Sequence, residues 1–312
     1  MTYFILANPN SGAKKGAHSL DLLLSYFKEN QVDFQLFTTT KSGQESELIY
    51  DILSLKSPDD VILIIGGDGT ISLAMSALPA DVPFAYLPAG SGNDFARSLS
   101  LEHDPICAFK AIENGHLHEI YVLKYESKNL SGFALNNIGI GLDAQIVKSA
   151  NRGKLKIWLN KIKLGQLAYL MTALHVLFTK KPFSVTIESM ASDLTSDKIL
   201  SQKIKFQRAF LMTFTKHSFF GGGVKISPTA SNLNDEIHLV EFNRLPMRKI
   251  FPVIPKVLKG THLNHPGFTH LISKQFIVKT EENQPVQIDG ESSEINANEP
   301  LKLSTEKRTI IY

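Results

Sequence analysis

Three stretches rich in glycine and small polar side chains carry the chemistry most readily read from this chain. They are Asn8-Pro9-Asn10-Ser11-Gly12 running on to Gly16, Gly66-Gly67-Asp68-Gly69-Thr70, and Pro88 to Arg97 with Ser91, Asn93 and Asp94. Glycine lets backbone amides turn toward an anion, and a helix beginning there adds its positive end. The first stretch lacks the Gly-Lys-Ser/Thr ending of a Walker A loop. In the second, Thr70 supplies a hydroxyl and Asp68 a carboxylate; a carboxylate beside phosphate makes sense with a divalent cation between them. The plainer reading makes Asp68 a helix N-cap and pairs Arg97 with Asp94. Three such loops in one domain point instead to a nucleotide phosphate site.

The elements around these loops alternate. Strands are expected at Tyr3–Ala7, Phe34–Phe37, Val61–Ile65 and Val82–Leu87, with helices at His18–Asn30, Glu45–Leu55 and Pro105–Asn114. That order implies a parallel sheet covered by helices on both faces, in which ligands bind beyond the carboxyl ends of strands. All three loops fall there. Beyond residue 125, Phe183-Ser-Val-Thr-Ile, Ala209–Thr215, Phe276-Ile-Val and Val286-Gln-Ile read as strands of a mainly antiparallel β-sandwich. The expected organisation is an α/β nucleotide-binding domain over 1–125 and a β domain over 126–304.

At 312 residues the chain exceeds what one core usually serves, which agrees with two domains. Its apolar content of 43% and charged content of 20% exclude collagen, coiled coil and wholesale disorder. No apolar run approaches the roughly 20 residues of a membrane span. The N-terminus does not read as a signal peptide, and the single cysteine, Cys107, fits a reducing compartment. A cytoplasmic protein is expected, with Cys107 a small buried apolar residue in a helix.

A net charge of +3 is too mild to argue for nucleic acid, but the charge is unevenly spread. Residues 148–181 hold eight basic side chains, from Lys148 through Lys154, Lys156, Lys161 and Lys163 to Lys181, and no acidic one. Leucines and Trp158 recur among them at helical spacing. Such a segment suits an anionic membrane surface, while the plainer reading is a surface helix packing inward.

In order along the chain, these motifs resemble the bacterial diacylglycerol-kinase-like lipid kinases. Gly66–Thr70 resembles the signature shared by diacylglycerol, sphingosine and NAD kinases, and Pro88–Arg97 resembles the lipid-kinase form of the next loop. Asn8–Gly12 matches Asn-Pro-x-Ser-Gly, and Thr39 with Gly43 is similar to Thr-x-x-x-Gly. Asn137–Ala144, Gly221–Pro228 and Ile288-Asp-Gly-Glu291 resemble further family stretches. The resemblance implies ATP held by Asn8–Gly12, Thr39, Gly66–Thr70, Ser91 and Asn93, with Mg²⁺. It implies catalysis in the cleft between the domains by Asp68 and by Glu291, the base for a lipid hydroxyl. The last strand, within 305–312, would return to the first domain. Phospholipid metabolism at the inner face of the cell membrane follows, with the lipid as partner and segment 148–181 as the docking surface. No nucleic acid or stable protein partner is implied, and a homodimer stays open.

The chain departs from the family pattern in three places. Ser91 replaces threonine, and Ser72-Leu73 replaces a polar pair that includes a carboxylate. A second-domain metal loop reads Leu233-Asn-Asp-Glu-Ile237, in which Asp235 would be the side-chain ligand and Leu233 and Ile237 would offer carbonyls. Two alternatives follow: a soluble-substrate kinase such as an NAD kinase, or a nucleotide- or lipid-binding module without catalysis. The ten histidines suggest hydrogen-bonded or surface roles rather than zinc.

Overall fold

The computed structural model describes the chain except for Ser42, residues 153–172 and residues 193–198. Most of the basic segment at 148–181 therefore lies outside the described residues. At its ends, Lys148 pairs with Glu294 at 2.7 Å, and the Lys180 ammonium donates to Gln284 Oε1 at 2.8 Å.

The first 113 residues alternate strand and helix: β1 (Tyr3–Ala7), α1 (Ser11–Glu29), β2 (Phe34–Thr38), α2 (Glu45–Leu55), β3 (Val61–Gly66), α3 (Asp68–Ala77), β4 (Phe84–Pro88), α4 (Asp94–Ser98) and α5 (Pro105–Glu113). β2, β1, β3 and β4 pair in that order, all parallel. Successive side chains of a strand point to opposite faces, so continuously apolar strands need cover on both. Tyr3, Ile5, Leu63 and Ile65 pack with Leu23 and Phe27 of α1 and Phe109 of α5. Phe4, Leu6, Ile62 and Ile64 pack on the other side with Ile49 and Ile52 of α2 and Ile71 and Met75 of α3. In α5, Ala108, Phe109 and Ile112 face inward, which turns Cys107 to solvent; the expectation of a buried thiol is corrected.

The remainder is mainly antiparallel. β5 (Leu117–Glu126), β6 (Ser131–Ala134) and β7 (Asn137–Gly141) lead into α6 (Leu142–Arg152). They are followed by β8 (Phe183–Ser192), β9 (Ile199–Thr215), the short pair β10 (Phe219–Phe220) and β11 (Val224–Lys225), and β12 (Ile237–Asn243). β13 (Phe268–Ser273), β14 (Gln275–Thr280), β15 (Gln284–Ile288), β16 (Glu291–Ile295) and β17 (Leu301–Ile311) complete the chain. Ile138, Ile140, Phe183, Val185, Met212, Phe214, Phe276 and Val286 form this half's core.

β17 joins the two halves. Its first residues pair with β14, Lys302 to Ile311 run antiparallel to β5, and Ile310 and Ile311 lie parallel to Phe84 and Ala85 of β4. Among the described residues, one hydrogen-bonded sheet therefore runs from β16 to β2.

Candidate active site

The loops after β1, β3 and β4 meet at the carboxyl edge of the parallel sheet, beside the point where strand order reverses between β1 and β3. Their glycines mark where backbones touch. A Cβ on Gly12 would lie 2.3 Å from the Ala89 carbonyl oxygen, and one on Gly90 would lie 2.6 Å from Gly67 Cα. Gly12 also takes φ +55°, a left-handed conformation that opens the turn into α1. Asn8 links two loops: its Nδ2 donates to Thr70 Oγ1 at 3.1 Å, and its Oδ1 accepts from the Asn10 amide at 3.1 Å. Ser11 Oγ donates back to the Asn8 carbonyl at 2.9 Å, and Pro9 lies within the same turn. Thr39 is buried at the end of β2, where its amide donates to the Ala7 carbonyl at 3.0 Å.

Asp68 opens α3, with Gly67 as the N-cap residue. Its carboxylate accepts from the Asp94 amide at 3.1 Å and the Phe95 amide at 3.2 Å, so the β3 loop grips the start of α4. Burial raises its pKa against these bonds. Asn93 is buried in the left-handed region and accepts from the Gly90 amide at 2.8 Å, whereas Ser91 is exposed. Gly69 has open space where a Cβ would stand. Arg97 does pair with Asp94, at 2.5 Å, and its guanidinium lies over the Phe219 ring. The second Asp94 oxygen accepts from the Gly222 amide at 2.8 Å, drawing the glycine turn of the second domain onto the first.

From the other side come β7, α6 and the β15–β16 hairpin. Asp289 and Gly290 both have positive φ and form the two-residue turn between Ile288 and Glu291. The Asp289 carboxylate accepts from Ser72 Oγ at 2.7 Å and from the amides of Leu135, Asn136 and Asn137 at 2.8–3.0 Å. Ser72, one of the departures, thus bonds α3 to the hairpin. Asp143 opens onto the same space. One of its oxygens accepts from Gln287 Nε2 at 3.2 Å, the other is buried without a partner, and burial raises its pKa to about 6. Beneath lies His217: the Phe219 amide donates to its Nδ1, so Nε2 carries the proton toward Asn136 Oδ1. Burial pushes its pKa down to about 3, and it is neutral.

These groups surround a cleft of about 210 Å³ lined by Asp68, Asp94, Asn136, Asn137, Asp143, Phe220, Gly222, Gln287, Asp289 and Gly290. Glu291 follows Gly290 and is exposed at the start of β16. Asp68 and the glycine loops are legible in the sequence, whereas the roles of Asp143, Gln287 and the Ser72–Asp289 bond are not. Asp143 lies in the quoted Asn137–Ala144 stretch; the other two have no local signature.

The second-domain metal loop is built differently from the expectation. Leu233 is 63% exposed. The Asp235 carboxylate pairs with Lys274 at 2.7 Å. The inner carbonyls, those of Asn234 and Glu236, receive the Lys216 ammonium, and Ile237 begins β12. The Asp235 carboxylate and the inward carbonyls of Asn234 and Glu236 are thus engaged by lysines.

Comparison with known proteins gives this architecture its class. Residues 2–125 match the diacylglycerol kinase catalytic domain, and residues 136–306 match the YegS C-terminal NAD kinase beta sandwich-like domain. The chain belongs to the diacylglycerol-kinase-like lipid kinase family. It is 26% identical to the Bacillus subtilis protein named "Putative lipid kinase YtlR", over 97% of this chain and 96% of that one. It is 25% identical to the diacylglycerol kinase of Bacillus subtilis, over 92% of this chain and 88% of that one. A crystal structure titled as a putative diacylglycerol kinase from Bacillus anthracis str. Sterne superposes with a TM-score of 0.71 at 21% identity, covering 100% of this chain and 94% of that chain. Among the described residues, no helix is long and apolar enough to cross a membrane.

Proposed function

We propose that the cleft binds ATP on the loops after β1, β3 and β4 and transfers its γ-phosphoryl group to a lipid hydroxyl, diacylglycerol or a related lipid. The observation that carries this is the convergence on one cleft of Asp68 and Asp94 from the glycine loops with Asp143 and the Asp289-Gly290 turn. Phosphoryl transfer needs held phosphates, a cation to spread charge and a group to take the acceptor's proton. Asn8–Gly12, Thr39, Gly66–Thr70, Ser91 and Asn93 would hold the nucleotide, with the open space at Gly69 receiving phosphate oxygens. Four aspartates line the cleft, and bare phosphates would be repelled there, so the residues fit a nucleotide that arrives with Mg²⁺. Asp68 and the unshared oxygen of Asp143 would hold that ion, which supplies charge neutralisation when bound.

Glu291 takes the hydroxyl proton as the lipid oxygen bonds to the γ-phosphorus and the β–γ bridging bond breaks, releasing ADP. Asp289, clasped by Ser72 and three amides, positions the turn from which Glu291 projects. The reaction places the chain in phospholipid metabolism at a membrane surface, on the cytoplasmic side. The test is labelled ATP with Mg²⁺ and mixed-lipid vesicles containing diacylglycerol, with Glu291→Gln in parallel. A labelled lipid is expected from the parent and at least 100-fold less from the variant, which should bind ATP unchanged. Equal turnover by both would reject the base. ATP binding without any lipid product would favour a soluble acceptor or a module without catalysis.

A further inference from the structure

We infer that Lys216 is a built-in cation: its ammonium fills the centre of the 233–237 loop, so this second-domain loop takes no divalent metal ion. Lys216 follows β9 directly and is fully buried. Its Nζ donates to the Asn234 carbonyl at 2.6 Å and to the Glu236 carbonyl, and lies 3.4 Å from Asn234 Oδ1. The ring of Tyr121 stands 5.8 Å away. Carbonyl oxygens converging from alternate residues of a tight loop are what a hard cation uses. Here they converge on a charge that is covalently attached. Asp235, the carboxylate that a bound divalent ion would require, turns outward to Lys274.

The attachment links two segments that both reach α4. On the Lys216 side, the Gly222 amide donates to Asp94; on the loop side, Asn232 Oδ1 accepts from Ser98 Oγ at 3.0 Å, and its carbonyl accepts from the Tyr121 amide. A loose, exchangeable ion would leave this contact dependent on metal concentration, whereas a tethered ammonium makes it permanent.

Thermal unfolding of the chelator-treated, nucleotide-free chain tests this, with MgCl₂ or CaCl₂ titrated at constant ionic strength. The parent chain should show no saturable rise in Tm that depends on Asp235. Lys216→Ala should melt about 5 °C lower and regain much of that with millimolar CaCl₂ as the ion enters the vacated loop. A saturable rise in the parent that disappears in Asp235→Asn would overturn the inference, because the loop would then hold metal beside the lysine. A rise that persists in Asp235→Asn belongs to the cleft and leaves the inference standing. Lys216→Ala as stable as the parent, or destabilised beyond repair by any cation, would also overturn it. If the alanine variant does not fold, Lys216→Gln is read in the same way.

Discussion

At Asp143 one carboxylate oxygen accepts from Gln287, while the other is buried without a donor, and burial lifts the pKa from 3.8 to about 6. The folded chain therefore holds a proton that the unfolded chain has already lost between about pH 4 and 6. Stability falls as pH rises through that window, and above it the buried charge costs about 3 kcal/mol at most. Asp143→Asn should accordingly unfold in urea at higher concentration than the parent at pH 8, with the difference closing toward pH 4. A variant less stable than the parent at both values would mean that the charge has a partner. The same substitution should weaken binding of Mg²⁺-ATP if Asp143 holds the ion. Asp68, Asn93 and Thr70 were legible because each sits in a local glycine-rich pattern. Gln287 and Ser72 were not, because their meaning lies in partners 144 and 217 residues away.

The elements of the first domain were largely legible, since strands buried on both faces and helices with one apolar face leave short-range periodic signals. α2 covers Glu45–Leu55 as expected. α1 begins at Ser11, earlier than expected, because its first residues pass through a left-handed turn at Gly12, Ala13 and Lys14 that carries no helical periodicity. The glycines of the loops divide into two kinds, and substitution separates them. Gly90→Ala would force a methyl into Gly67 and Asn93, costing roughly 2–3 kcal/mol, and should weaken ATP binding along with stability. Gly69→Ala meets no protein atom and replaces a poor helix former in α3, so it should leave Tm unchanged or slightly higher. It should nevertheless weaken ATP binding at least tenfold if phosphate occupies that space. Differential scanning fluorimetry with and without ATP reads both effects; unaltered ATP response in Gly69→Ala would move the phosphates elsewhere.

Across the whole molecule, β17 sets the cooperativity. Leu301 and Leu303 lie in the β-sandwich core and Ile310 in the core of the first domain, while Arg308 is buried and donates to the Leu78 carbonyl. Two domains sharing one strand should unfold together, so calorimetry is expected to show a single transition with calorimetric and van't Hoff enthalpies equal. A chain ending at residue 300 should fail to fold in either half, because β4 loses one of its two parallel neighbours and β5 keeps only its short pairing with β6. Two resolved transitions, or a stable first domain in the truncated chain, would refute this coupling.

The sequence by itself determined the class of the first domain and the three glycine loops at its carboxyl edge. All of these are written in residue types within a few positions of one another. Only the tertiary structure decided what those residues meet. Ser72, read only as part of a departure from the family pattern, bonds the hairpin through Asp289, the lone cysteine faces solvent, and Lys216 reaches into the 233–237 loop. For the serine and the lysine the physical reason is the same: a polar or charged group withdrawn from water must find a partner of opposite character. That partner is supplied by chain folding rather than by proximity in sequence.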